Sequence, residues 1–253
     1  MKNVMEKFLS FPPVFGVASL LTYAFYSIPI GISLLPSACI IYFSVEWLIA
    51  GFSFLKLSVF CLLISFSVFI FFIFACIIFG ITSRLITFGI KPGRYIIGSP
   101  TFIRWLINGG LHTIALNLIL PFIVGSDWIK IYFKLAGCKM GKNVFLNSPA
   151  LQDAYLLELG NDVIIGGRAD ITCHMFEGRH LILDKIIIGD NTLIGFRSYV
   201  MPGVHVGKKC SIGCYSIVRK DREFNDHSTV VSIPGLPIRN IAKFIRDIDK
   251  KSV

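Results

Sequence analysis

The stretch Ile188–Val218, IGDNTLIGFRSYVMPGVHVGKKCSIGCYSIV, places an aliphatic residue at every sixth position: Ile188, Ile194, Val200, Val206, Ile212 and Val218. Glycine follows four of them, as Gly189, Gly195, Gly207 and Gly213, and a smaller side chain stands four positions after the first five (Thr192, Ser198, Val204, Cys210 and Ser216). A step of six fits neither the 3.6 of a helix nor the 2 of a sandwich strand. It is the hexapeptide period of a parallel β-helix, in which short strands end at corners and stacked branched side chains fill the axis. Glycine after the apolar residue is expected to let the backbone turn each corner without steric conflict. Leu159, Ile165 and Ile171 keep the same step upstream, with Gly160 and Gly166 after the first two.

Outward from this region the composition changes. The 253 residues are 54% hydrophobic and 16% charged, with a mean hydropathy of +0.71, which points to a membrane class. The apolar character is concentrated: residues 8–45 and 57–83 carry no charged side chain, whereas 127–253 have the mixed charge of a soluble domain. The expected organisation is therefore a membrane region over 1–126 and a β-helix domain over 127–253. At 1.5 Å per residue, 57–83 makes a helix of roughly 40 Å, enough to span a hydrocarbon core of about 30 Å. The run 14–45 is also long enough, as one kinked helix or a tight pair, since Pro29, Gly31 and Pro36 interrupt it. A third run, 105–126, contains Asn108, His112 and Asn117 and is expected to be interfacial or re-entrant. Ile238, Ile241, Ile245 and Ile248 suit a short amphipathic C-terminal helix over 238–248.

The net charge of +10 does not indicate nucleic acid, because no nucleic-acid motif accompanies it and the basic residues flank the apolar runs. Lys2 and Lys7 precede the first; Arg84, Lys91, Arg94 and Arg104 follow the second; Lys130, Lys134, Lys139 and Lys142 follow the third. That pattern is expected of segments held on the cytoplasmic side against anionic lipid. Residues 8–83 then cross twice and 105–126 return to the same side, leaving the β-helix cytoplasmic. The seven cysteines show no disulfide spacing, as expected of free thiols in a reducing compartment.

The hexad breaks once. Between Ile171 and Ile188 lies Cys173-His174-Met175-Phe176-Glu177-Gly178-Arg179-His180, the densest ionisable cluster of this half. A loop extruded from a rigid coil is a common place for functional side chains. His174 and Glu177 are three apart, so a single turn would bring the carboxylate to the imidazole and support a general base. His180 is the rival base, beside an apolar run that re-enters the coil; His205 decorates the coil surface, and His112 lies in the third apolar run. Cys173, His174 and His180 match no closed zinc spacing, and no metal is expected.

The segments Gly93-Arg94-Tyr95, Phe102-Ile103-Arg104-Trp105-Leu106, Leu135–Val144, Leu159-Gly160-Asn161-Asp162, His174-Met175-Phe176-Glu177-Gly178-Arg179 and Pro234-Gly235-Leu236-Pro237 carry a resemblance. The chain resembles the left-handed β-helix (hexapeptide-repeat) acyltransferases, and more narrowly the membrane transferase module at the carboxyl end of poly-lysine-synthetase-type peptide synthetases. The match covers about residues 91–237. Tyr155 stands where an aspartate is expected before the Leu159-Gly160 corner, and Gly178 replaces a common aspartate. The resemblance implies a homotrimer that takes acetyl-CoA or another acyl-CoA in clefts between coils. It also implies His174 as general base with Glu177 as its partner. Arg219 and Lys220 at the edge of the last coil, with Ser216, are the candidates for holding the CoA donor.

The expected protein is thus a multi-pass acyltransferase of a bacterial inner membrane that acylates a hydroxyl or amine of a lipid-linked or envelope acceptor. Two alternatives stand beside it: an amide-forming transferase that uses a carrier-protein thioester, and a non-catalytic trimeric membrane scaffold.

Overall fold

The computed structural model describes residues 14–231, with side chains from Leu21 onward. Four helices come first: α1 (Val14–Ile49), α2 (Phe54–Thr87), α3 (Pro100–Leu118) and α4 (Asp127–Leu135). A parallel β-helix follows.

α1 runs unbroken through Pro29 and Pro36, so the interrupted run forms one helix. Each proline lacks the N–H that would close the preceding turn, a loss that spanning helices tolerate where neighbouring groups re-satisfy the backbone. A tight connection reverses the chain, Ser53 caps α2 by accepting from the Lys56 N–H, and the Ser37 hydroxyl of α1 donates to the Ser67 carbonyl of α2 at 2.7 Å. Leu21–Ile49, Phe54–Thr87 and Pro100–Phe122 are each long and apolar enough to cross a membrane. Large apolar side chains such as Leu21, Leu35, Leu62 and Phe69 stand exposed along the first two, which suggests membrane association.

The third apolar run divides. α3 starts at Pro100, ahead of the expected boundary, because Ser99 accepts from the Phe102 N–H and proline suits the first helical position. It ends at Leu118; a short 3₁₀ turn, Leu120–Phe122, leads to α4, which Ser126 caps. α4 presses its buried Ile129, Tyr132 and Phe133 toward the C-terminal half of α2. The two backbones approach so closely at Gly80 that a Cβ there would lie 2.8 Å from Leu135 Cβ.

The β-helix has three parallel faces. The first stacks Lys139–Met140, Leu157–Leu159, Ile186–Ile188, His205–Val206 and Glu223–Phe224; the second stacks Phe145–Leu146, Ile164–Ile165, Leu193–Ile194, Ser211–Ile212 and Thr229–Val230; the third stacks Leu151–Gln152, Asp170–Thr172, Tyr199–Val200 and Ile217–Val218. The hexad residues Ile165, Ile171, Ile188, Ile194, Val200 and Ile212 are buried in the axis.

The hexad glycines serve a different purpose from the one their spacing suggests. The positive φ angles of the corners belong to residues two positions later: Asn191 (57°), Arg197 (53°), Lys209 (54°) and Tyr215 (57°). The glycines are required by stacking, since a Cβ on Gly189 would sit 2.7 Å from the Gly207 carbonyl carbon. Coil therefore packs on coil through bare backbone.

Leu159 pairs with Ile188 and Ile188 with Val206, so one turn is 29 residues long and the next 18. The eleven-residue surplus is an antiparallel hairpin, His174–Glu177 against His180–Leu183, and the strand Gly93–Ile96 from the α2–α3 connection adds to its open side. The segment 238–248 and the Pro234–Pro237 turn lie outside the described residues.

Candidate active site

His174 opens the hairpin, where the chain leaves the third face of the coil. Its Nδ1 lies 2.6 Å from Asp153 Oδ2 and 3.2 Å from Thr172 Oγ1. The Asp153 side chain is only 4% exposed, against 20% for His174. An ionised carboxylate can only accept, so Nδ1 carries the hydrogen and the lone pair of the imidazole resides on Nε2.

Asp153 is itself held from two directions. Its backbone takes the left-handed conformation (φ 56°), which aspartate tolerates better than most residues. Its second oxygen, Oδ1, accepts from the Trp105 indole N–H of α3 at 3.0 Å. The same indole packs edge-on against the His174 ring at 4.8 Å between centroids, and against Phe176 at 5.6 Å; Phe102 completes the wall. An apolar-sequence helix thus supplies both a hydrogen-bond donor and one side of the histidine's surroundings.

The expected His174–Glu177 contact is not formed. The segment is a strand, and residues three apart on a strand face opposite sides. Glu177 turns to the other surface of the hairpin, where Lys220 donates to its Oε1 and Arg94 Nη1 lies 3.6 Å from its Oε2. Lys220, and secondarily Arg94, hold the Glu177 carboxyl below its ordinary value, and Glu177 in turn raises the Lys220 ammonium. These groups line a groove of about 300 Å³ with Met175, Asp184 and Asp221.

The three residues expected at the donor site separate. Lys220 reaches this groove, Arg219 is exposed but does not line it, and the Ser216 side chain is fully buried. The reason is the hexad itself: the position four after Ile212 points into the coil, so Ser216 is not presented to a surface ligand.

Of the other histidines, His180 pairs across the hairpin with Glu177 and His205 is exposed on the coil. His112 approaches the Tyr132 hydroxyl at 2.9 Å, with its Nε2 buried and unpartnered among the described residues. The same residues contain no cluster of three or more His, Cys, Asp or Glu side chains able to hold a metal ion.

Asp153, Trp105 and Thr172 are the contacts that the repeat pattern did not single out. Asp153 stands two residues before Tyr155, the position where the resemblance places an aspartate, in the coil immediately below the hairpin. Trp105 could be noticed in sequence only as part of a resembling segment.

Residues 185–220 match the model of the bacterial transferase hexapeptide (six repeats). The delta-poly-L-ornithine synthetase of Acinetobacter baumannii is 25% identical over 138 residues, which are 54% of this chain and 10% of that protein. The galactoside O-acetyltransferase of Escherichia coli is 30% identical over 139 residues, 50% of this chain and 66% of the relative. A solved galactoside acetyltransferase in complex with coenzyme A is 17% identical, covering 64% of this chain and 93% of its own, with a TM-score of 0.42. The chain thus spans less than two thirds of these two curated relatives, and only a tenth of the first.

Proposed function

We propose that this hexapeptide-repeat transferase is a membrane-associated acyltransferase that moves an acetyl or related group from a CoA thioester to a hydroxyl or amine. The observation that carries the reading is the buried Asp153 carboxylate on His174 Nδ1. It fixes the ring tautomer and supports the imidazolium, so Nε2 can accept a proton.

In this mechanism Nε2 takes the proton of the acceptor as its oxygen or nitrogen attacks the thioester carbonyl. The tetrahedral oxyanion collapses, the carbon–sulfur bond breaks, and the imidazolium returns its proton to the departing thiolate. The products are acylated acceptor and free CoA thiol. Trp105 keeps Asp153 oriented through the cycle, and the rings of Trp105 and Phe176 shield the imidazole on one side. Lys220 and Arg219 are the cations we assign to the phosphates of CoA; Lys220, with Arg94, is paired with Glu177 in a groove that Asp184 and Asp221 also line, so phosphate binding there requires Lys220 to exchange its carboxylate partner.

Several further features support the wider setting. The wall of the site belongs to α3, which continues from two long apolar helices, so a membrane-embedded or lipid-linked acceptor would reach His174 without leaving the interface. The basic residues between α2 and the coil favour a cytoplasmic coil at a bacterial inner membrane. Phe145, Ile164 and Leu193 form an outward apolar row on one coil face, each at least 40% exposed, a surface consistent with a homotrimer.

The test is turnover by the purified chain, read as thiol release from acetyl-CoA in the presence of acceptor. His174→Ala is expected to lower it at least about 100-fold, with unchanged helicity and assembly mass. Retention of turnover would remove the histidine from the chemistry and favour the non-catalytic scaffold.

A further inference from the structure

The depth to which α3 and α4 reach is set by their contacts along α2. α3 descends: Arg104 Nε donates to the Ile86 carbonyl at 2.9 Å, and Ser83 donates to Asn108 Oδ1 at 2.7 Å. Beyond its end, the Phe122 ring stacks on Phe72 at 4.7 Å. α4 then climbs, with the Cys76 thiol 3.3 Å from the Trp128 carbonyl and Leu135 against Gly80. From Ile86 to Phe72 is about 21 Å of helix, short of a hydrocarbon core about 30 Å thick. The pair of helices thus enters and leaves on the side of the coil. Its turning point is apolar, with Leu118 59% and Phe122 70% exposed.

Beside α4, on the way back to the coil, lies a second groove of about 600 Å³. Lys130 and Lys134 line it from α4, Lys142 and Asn143 from the first corner of the coil, and Asn161 from the next coil. No carboxylate lines this groove, in contrast to the groove at Glu177. Lys130 is paired with Asp127. The ammonium groups of Lys134 and Lys142 have no ion-pair or hydrogen-bond partner among the described residues, and both side chains are exposed. We propose that this groove binds the phosphate of an anionic glycerophospholipid between Lys134 and Lys142, with the acyl chains lying toward Leu118 and Phe122. Two cations from separate elements, with no carboxylate to answer them, suit a phosphodiester. The bare apolar turning point commits the site to a lipid, since a soluble phosphate gains nothing from it. This is a discrete site, distinct from the diffuse attraction that flanking basic residues exert on an anionic surface. It stands apart from the acyltransferase reading.

The experiment is native mass spectrometry of the full chain in a neutral detergent, offered equal amounts of phosphatidylglycerol and phosphatidylcholine. Wild type is expected to retain phosphatidylglycerol in at least about tenfold preference, as two lysines each worth about fivefold would give. Lys134→Ala with Lys142→Ala is expected to abolish the preference, and Lys134→Arg with Lys142→Arg to keep it. Lys91→Ala with Lys209→Asn removes the same charge from exposed positions outside the groove and is expected to keep it too. Equal loss in that control overturns the discrete site in favour of diffuse attraction. Preference retained in the double alanine variant overturns it as well. Displacement of phosphatidylglycerol by excess glycerol phosphate gives the groove to a soluble phosphate and overturns the lipid. The same spectra report assembly mass. A changed mass in the alanine variant, with preference lost in the arginine variant, assigns the lysines to folding or subunit contacts and overturns the proposal.

Discussion

At the scale of the residue, the carboxylate that sequence spacing offers to His174 is not the one that meets it in space. Glu177 is three positions from His174 and Asp153 is twenty-one, yet the near one faces away because the backbone is a strand. The consequence is measurable. Asp153→Asn, which keeps the shape and removes the charge, is expected to reduce kcat about 100-fold or more with little change in KM for acetyl-CoA. Glu177→Gln is expected to act instead on the KM for acetyl-CoA, because it loosens Lys220 and Arg94 in the groove. Steady-state kinetics on both variants decide the matter, and equal kcat losses would restore Glu177 as the imidazole's partner.

At the scale of the element, the six-residue repeat was legible because it is a one-dimensional rule: each apolar residue stacks on its equivalent one turn away. The break in the repeat was legible for the same reason, and it located His174. The partners of His174 were not, since Asp153 comes from the previous coil and Trp105 from a helix 48 residues before that aspartate. Long-range pairing leaves no periodic trace. The purpose of the glycines is not legible locally either, because a corner and a close approach call for the same residue type. Gly189→Ala distinguishes these demands. Since the added methyl would meet the Gly207 backbone, it is expected to cost about 1–3 kcal/mol in overpacking. Denaturant unfolding of the coil measures this, and a shift below half a kcal/mol would return the glycine to a purely conformational role.

At the scale of the whole molecule, the helical region and the coil are joined at more than the chain connection. α4 packs against α2, Gly93–Ile96 extends the hairpin sheet, and α3 walls the histidine. The charge pattern predicts that this joined face is cytoplasmic. A reporter fused after Val253 is expected to read out cytoplasmic, and a cysteine-directed label of low permeability should reach a cysteine placed at Gly51 only from the other side. A periplasmic readout at Val253 would separate the coil from the cytosolic CoA pool and reject the donor.

The indole bond from α3 to Asp153 has a consequence for biogenesis. The helices leave the ribosome first and the coil last, so the histidine acquires its oriented carboxylate only after the late-made half docks on the early-made one. Neither half holds the complete constellation. On the proposed function, a coil clipped free of its helices keeps His174 and Asp153 but loses the Trp105 indole bond, so it is expected to release thiol from acetyl-CoA more slowly than the full chain.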